Sequence, residues 1–391
     1  MKEVRQLAEE IRCFSEEKKP EMENFLASLV NRESGSYDTE DVNALGDFLV
    51  KVCTEMGGSV TRHRSRVHAD PIACTFGCKD NPDARRILLV CHRDTVFPHG
   101  TTKTRPYTED EKNCYGPGCA DMKGGIAIGI YAIRLLQTIG ESVPVEIIFT
   151  SDEEIGSEAS EEFVKCRAKN AKAAFFLEPA RANGALVTGR NGGDLLTLTV
   201  KGHSSHAGNA FEDGVSAVHG IARVITQMAE LSDTPAGYST NVGLVSGGEG
   251  AIVVADHAQA RIYTRFSTLE QREFLLSRFK AICEANTQGG LKVSISAPVG
   301  FLPFLPNEAN HQLFELVKVA GNAFGLSLTG VNVRGAADAG ITSCAGVPTI
   351  CGMGIVGGNL HTDREYAVKA SLPERLNVLA LSIVLANRTY A

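Results

Sequence analysis

Three acidic residues in a row, Asp152, Glu153 and Glu154, follow the apolar run VPVEIIFT and open the segment SDEEIGS (151–157) with Ser151. Two carboxylates ~4 Å apart repel by ~4 kcal/mol at an effective dielectric of ~20. On a surface, water relieves that repulsion. At a buried strand end a cation has to. The arrangement recurs along the chain. RILLVC runs into His92-Arg93-Asp94, AFFL into Glu178-Pro179, and ICGMGIVGGNL into His361-Thr362-Asp363. Asp121 sits in a Gly-rich loop, CYGPGCADMKGG, just ahead of an apolar helical segment.

Each piece has an ordinary explanation when taken alone. His92 fits a core or surface histidine, Asp121 an N-cap, the triplet a solvated helix start, and Glu178 a loop residue. Taken together, they require five strand ends or helix starts to be acidic or imidazole by coincidence. A divalent-cation site accounts for all of them. Imidazole with carboxylate suits zinc, cobalt or manganese better than magnesium or calcium. Asp121, Glu154 and Glu178 bring three negative charges. Two divalent ions, with a hydroxide or Glu153, bring the site near neutrality, so the count favours two metals over one.

The elements that must position these residues follow from hydrophobic period. Residues 1–57 carry apolar positions at helical spacing. RRILLVC (85–91), VPVEIIFTS (143–151) and AAFFLEP (173–179) read as buried strands, and GGIAIGIYAIRLLQTIG (124–140) between the first two reads as a helix. Strand, helix, strand at this spacing predicts a mostly parallel α/β sheet. In such a sheet the carboxyl ends of the strands share one edge, where ligands bind. The middle of the chain differs. Strands at 194–205, 260–266 and 291–297 alternate with helices at 213–233 and 270–286, a β-α-β-α-β block inserted into the first domain. The expected organisation is a discontinuous catalytic domain, 1–192 with 306–391, and an inserted α+β domain, 193–305.

In order, HRDTVF, YGPGCADMKGG, SDEEIGS, FFLEP, GHSSHAG and GGNLHTDREY resemble the motifs of the M20 metallopeptidases. That group includes glutamate carboxypeptidase, peptidase T, aminoacylase and succinyl-diaminopimelate desuccinylase. The resemblance runs from about residue 20 to the end. It implies a dinuclear zinc hydrolase in which His92 and Glu178 serve one ion and Glu154 and His361 the other. Asp121 bridges them, Asp94 orients His92, and Glu153 is the general base. It also implies that the inserted domain is a lid and homodimerisation domain. His206 of GHSSHAG would reach the partner subunit's site and polarise the scissile carbonyl. Arg265 of ARIYTRF would hold a substrate carboxylate. Arg261 is the competing choice, since alternation puts both arginines on one strand face.

Two departures stand out. GEGAIVVADHAQA lacks the Asn and Pro that members often carry before the lid strand. RGAADAG (334–340) has Ala336 and Ala337 in a loop where hydroxyl residues are usual. The implied substrate is an amide next to a free carboxylate, in a small peptide cut by a carboxypeptidase, aminopeptidase or dipeptidase. A deacylase or desuccinylase of N-acyl amino acids is the alternative. A non-catalytic amino-acid- or peptide-binding protein on the same scaffold is disfavoured by the intact Glu153. A two-metal phosphate-ester hydrolase is disfavoured by the lack of a phosphate clamp.

Composition fits these expectations. The chain has 391 residues, long enough for two domains. A net charge of −7 argues against a nucleic-acid partner. Neither a signal segment nor a membrane span is evident. Eleven cysteines without a framework suggest reduced thiols and a cytoplasmic location. Cys91, Cys166, Cys283 and Cys344 sit in apolar context, and Cys74 and Cys78 lack the second pair a closed zinc site needs.

Overall fold

The computed structural model describes residues 2–78, 81 and 83–390. They divide into two compact units. One comprises 1–189, 304–333 and 337–391, and the other 190–303 with 334–336.

The first unit opens with two helices, α1 (Val4–Val30) and α2 (Thr39–Glu55). In α1 the spacing of Leu7, Ile11 and Phe14, then Met22, Leu26 and Leu29, puts one apolar stripe in the core. The Asp38 side chain caps α2 by accepting from the Asp41 amide. Strands β1 (Ser59–Arg62), β2 (Ile72–Phe76), β3 (Arg86–His92), β4 (Val145–Thr150) and β5 (Ala171–Phe176) form a sheet with the two-residue strand Thr349–Ile350. Its order is β1-β2-β4-β3-β5, then Thr349–Ile350. From β4 onward the neighbours run parallel, and only β2 runs opposite to the rest, antiparallel to both β1 and β4. This is the mostly parallel sheet expected from the sequence.

Register explains why the strand ends converge. His92 pairs with Thr150, and Val90 pairs with Phe176. Two residues past each of these pairings lie Asp94, Asp152, His92 and Glu178, all at one edge of the sheet. The helix α3 (Gly124–Thr138) is apolar nearly all round and buried. It lies close to that edge because Gly125 has no side chain. A Cβ there would stand 1.9 Å from the Leu177 carbonyl oxygen, next to Glu178.

The second unit is antiparallel. Strands β6 (Gly192–Lys201), β7 (Ser239–Gly247), β8 (His257–Phe266) and β9 (Lys292–Ile295) follow the order β7-β8-β6-β9. Burial along β8 alternates, so one face carries Ala258, Ala260 and Ile262 into a core with Leu196, Leu198 and Val200. Helices α4 (Ala217–Ala229) and α5 (Leu269–Asn286) supply the other half of that core. A capping box of Thr268 and Gln271 starts α5. The sequence pattern marks three strands here, and β7 is a fourth. The block is β-α-β-β-α-β. β7 is an edge strand whose Leu244 and Val245 are both exposed, so it has no clean alternation to detect.

All eleven cysteines are free thiols. Cys166 is exposed between Lys165 and Arg167, and Cys344 is half-buried, so neither has the apolar setting expected of it. Among the described residues no helix is long and apolar enough to cross a membrane.

Gly125→Ala is expected to lower stability by about 1–3 kcal/mol through overpacking against Leu177. Chemical denaturation checks this, with metal uptake measured in parallel to report displacement of Glu178.

Candidate metal centre

The site grows out of the end of β3. His92 is buried, and its Nδ1 lies 3.0 Å from the Asp94 backbone carbonyl oxygen. Donation from Nδ1–H to that carbonyl leaves Nε2 facing inward. There Nε2 stands 3.0 Å from Asp121 Oδ1 and 3.9 Å from Glu178 Oε1. On the other side His361 Nε2 lies 3.2 Å from Asp121 Oδ2 and 3.1 Å from Glu154 Oε2. The two oxygens of Asp121 therefore face two different imidazoles, each accompanied by its own glutamate. His361 reaches inward from a loop in which Asn359 and His361 both take left-handed backbone angles, φ 53° and 62°.

The SDEE segment supplies three different carboxylates. Glu153–Ile155 form one 3-10 turn, so the chain bends directly after the strand. Asp152 points away from the centre, accepting from the Ala159 amide and the Ser160 hydroxyl. Asp94 braces the turn from beneath. Its carboxylate accepts from the amides of Glu153 (3.2 Å) and Glu154 (3.1 Å) and from Ser36 Oγ (2.8 Å). Asp94 thus touches both the His92 arm and the acidic turn.

The electrostatics follow from this packing. Burial, reinforced by Glu178 and Glu154, pushes Glu153 well above the usual carboxylate range. Burial also raises Glu154, although His361 opposes it. Burial would raise Asp121 too, but His361 and His92 outweigh it and hold the group well below the usual range. His361 is pushed up to about 10 by its hydrogen bonds to Asp121 and Glu154. For His92, burial favours the neutral form, yet Glu178, Asp121 and Asp94 raise it well above normal. Both imidazoles are drawn toward a positive charge by carboxylates that burial has stripped of water.

That demand is what divalent cations satisfy. One ligand atom from each of His92, Asp121 and Glu154 lies within 4.8 Å of the others. Ligands ~2.0–2.2 Å from one tetrahedral ion sit roughly 3.3 Å apart. The 3.0, 3.1 and 3.2 Å contacts between the imidazoles and their carboxylates match that spacing. Nitrogen and oxygen donors with a −3 carboxylate set fit divalent metal.

His206 and Arg265 belong to the second unit. His206 is exposed, and its Nδ1 accepts from the amides of Gly208 (3.0 Å) and Asn209 (3.1 Å). Those two donors assign the lone pair to Nδ1 and the proton to Nε2. Arg265 is half-buried on β8 and donates to the Arg334 carbonyl, 3.2 Å away. Arg261 on the same face is exposed and donates to Thr197 Oγ1 at 3.1 Å.

Comparison with known proteins agrees with the geometry. Residues 88–384 match the peptidase family M20/M25/M40. This chain belongs to that family. Carboxypeptidase G2 from Pseudomonas sp. (strain RS-16) is 27% identical over 378 residues, spanning 94% of this chain and 90% of that one. Two solved structures share the fold. An M20 family metallo-carboxypeptidase from Sulfolobus solfataricus superposes with a TM-score of 0.73 at 15% identity, covering 94% of this chain and 99% of that one. A tripeptidase from Staphylococcus aureus subsp. aureus Mu50 gives 0.72 at 19% identity, covering 95% and 99%. This M20 peptidase is accordingly a metal-dependent hydrolase of peptide bonds.

Several residues of the M20 site escaped the sequence reading. Ser36 lies 58 positions before the Asp94 it bonds, and no local pattern marks it. Asp338 donates or accepts nothing through its buried Oδ2, while its Oδ1 takes a short hydrogen bond from the Ser157 hydroxyl. Burial pushes Asp338 up to about 7 against that bond. Glu365 stands four residues after His361, in a charged stretch that marks it as a surface residue.

Asp94→Ala is expected to weaken metal binding by about 10–100-fold, because it releases the acidic turn and removes the carboxylate oxygen that lies 3.5 Å from His92 Nδ1. Competition against a chromogenic chelator measures this.

Proposed function

We propose that this peptidase is a dinuclear zinc enzyme that cleaves an amide bond next to a free carboxylate in small peptides, with carboxypeptidase action as the leading case. The observation that carries the two-ion assignment is the division of Asp121, with Oδ1 facing His92 and Oδ2 facing His361. In this reading His92 and Glu178 hold one ion, Glu154 and His361 the other, and Asp121 joins them. Cobalt or manganese fits the same donors. The similarity to carboxypeptidase G2 over nearly the whole chain supports the choice of a C-terminal substrate end.

When bound, the ions polarise the scissile carbonyl and acidify a water. The protein's own groups do the rest. Glu153 takes the proton from the attacking water and delivers it to the leaving nitrogen, and its raised proton affinity suits both transfers. His206 presents Nε2–H as a donor to the developing oxyanion, in the tautomer its two backbone partners impose. Arg265 pairs with the substrate carboxylate. Its placement against the Arg334 carbonyl, in the RGAADAG loop, favours it over Arg261. Asp94 keeps His92 and the acidic turn in register.

We assign residues 193–305 to a lid and dimerisation domain and 1–192 with 306–391 to the catalytic domain. The dimer is supported by β7, an edge strand that pairs only with β8 among the described residues and exposes Leu244 and Val245. In that dimer His206 serves the partner subunit's site. Eleven free thiols support a cytoplasmic location. The alternative substrate class is an N-acyl amino acid. Ala336 and Ala337, where hydroxyl residues are usual, favour a changed substrate pocket.

A hydrolysis screen with added zinc or cobalt decides the substrate. Dipeptides, tripeptides, peptides ending in glutamate, and N-acetyl and N-succinyl amino acids are compared. Release of the C-terminal residue from peptides is the expected result, and cleavage confined to acyl amino acids would replace it with the deacylase assignment. Glu153→Gln is expected to keep its metal, measured by plasma emission at about two ions per chain, and to lose kcat by at least roughly 100-fold. Near wild-type turnover would remove Glu153 from the base role.

His206→Ala is expected to lose kcat with full metal content. Mixed with Glu153→Gln under conditions of proven subunit exchange, it should regain activity, because each hybrid dimer holds one complete site. Absence of rescue would place His206 in its own subunit's site or outside catalysis.

A further inference from the structure

The two ligand-bearing loops of the centre leave neighbouring strands. Asn113–Tyr115 pairs antiparallel with Tyr366–Val368, and Tyr115 stands opposite Tyr366. The chain leaving Tyr115 carries Asp121. The chain arriving at Tyr366 carries His361. Between them lies Glu365, 1% exposed. Its Oε1 accepts from the amides of Ala120 (2.9 Å) and Asp121 (3.0 Å), and its Oε2 from the amide of Gly118 (3.0 Å). One buried carboxylate thus gathers three backbone N–H groups of the Asp121 loop.

The same residue closes its own loop. The Glu365 amide donates to the Thr362 carbonyl, and the Thr362 amide and hydroxyl donate to Asn359. The Asn359 side chain returns to the Arg364 carbonyl. His361 lies inside this closed turn. The catalytic steps above make no use of Glu365.

We propose that Glu365 is the positioning residue that fixes the Asp121 arm against the His361 arm, so that Asp121 presents one oxygen to each histidine. This takes Asp121 and His361 as ligands. The carboxylate cannot be replaced by its amide without cost. A glutamine offers one acceptor oxygen and turns an N–H₂ group toward an N–H donor.

The test uses the full chain with Glu365→Ala and Glu365→Gln, and Asp121→Asn as a control. Zinc affinity is measured by chelator competition, and amide exchange of the metal-free protein by mass spectrometry. Glu365→Ala should weaken zinc binding by about 10–100-fold, with Glu365→Gln falling between it and wild type. Exchange should accelerate in peptides covering 114–123 and stay unchanged in β3 and β4. Unchanged exchange across 114–123 overturns the clamp. So does faster exchange spread through β3 and β4, which would make Glu365 a general fold stabiliser. Faster local exchange with unaltered zinc affinity overturns it as well. If Asp121→Asn keeps full affinity, the ligand assignment fails instead, and the metal-free exchange still judges the clamp by itself.

Discussion

The structure turns on the crowding of negative charge at one sheet edge. Asp94, Asp121, Asp152, Glu153, Glu178, Asp338 and Glu365 are all buried in the first unit, and Glu154 is half-buried beside them. At ~4 kcal/mol per close pair, no fold tolerates this without compensation. The compensation comes in two forms. Asp94, Asp152 and Glu365 accept from backbone amides, two of them also from serine hydroxyls. Asp338 takes the Ser157 hydroxyl. Asp121 and Glu154 face imidazoles instead. The outer carboxylates spend their charge on holding loops, Asp338 through one oxygen only. The inner ones are satisfied by whatever cation sits between them.

That division explains why the parallel sheet matters. Parallel strands deliver several chain segments to one edge at a common level, and the β3–β4 and β3–β5 registers set that level to within a residue or two. The loops that follow need no length of their own to meet. The antiparallel sheet of the second unit has no comparable convergence. Its core lies on one face, and its β7 edge pairs only with β8 among the described residues.

Much of this was legible in the sequence because burial and chemistry leave different marks. Continuous apolar runs such as RILLVC and EIIFTS announce strands buried on both faces, and the charged or imidazole residue directly after each run falls at a strand end. The structure places His92, Asp94, Asp121, Glu153, Glu154 and Glu178, with His361, close together. What stayed illegible lacks such a mark. β7 is an edge strand without alternation. Ser36 and Asp338 act through contacts across 58 and 181 positions, which no local window contains. Glu365 was hidden for another reason. It sits in an exposed-looking stretch, TDREY, where an acidic residue suggests solvent, and only the pairing of Tyr366 with Tyr115 carries it inside.

The triplet at 152–154 shows how one sequence of like charges is resolved by backbone geometry. In a continuing strand, Asp152 and Glu154 would share a face and Glu153 would oppose them. The 3-10 turn breaks that alternation. It lets Glu153 and Glu154 hang from a single Asp94 carboxylate by their amides while their side chains point elsewhere. Gly156 and Ser157 then take left-handed angles, φ 104° and 57°, and carry the chain back so that the Ser157 amide reaches the Asp152 carbonyl. Glycine adopts that angle freely. Ser157 adopts it at a cost that its bond to Asp338 offsets. The turn is therefore held at both ends by buried carboxylates, Asp94 below and Asp338 beyond. Three adjacent acids can stand in one place because the backbone between them, rather than their charges, decides which one meets the cation.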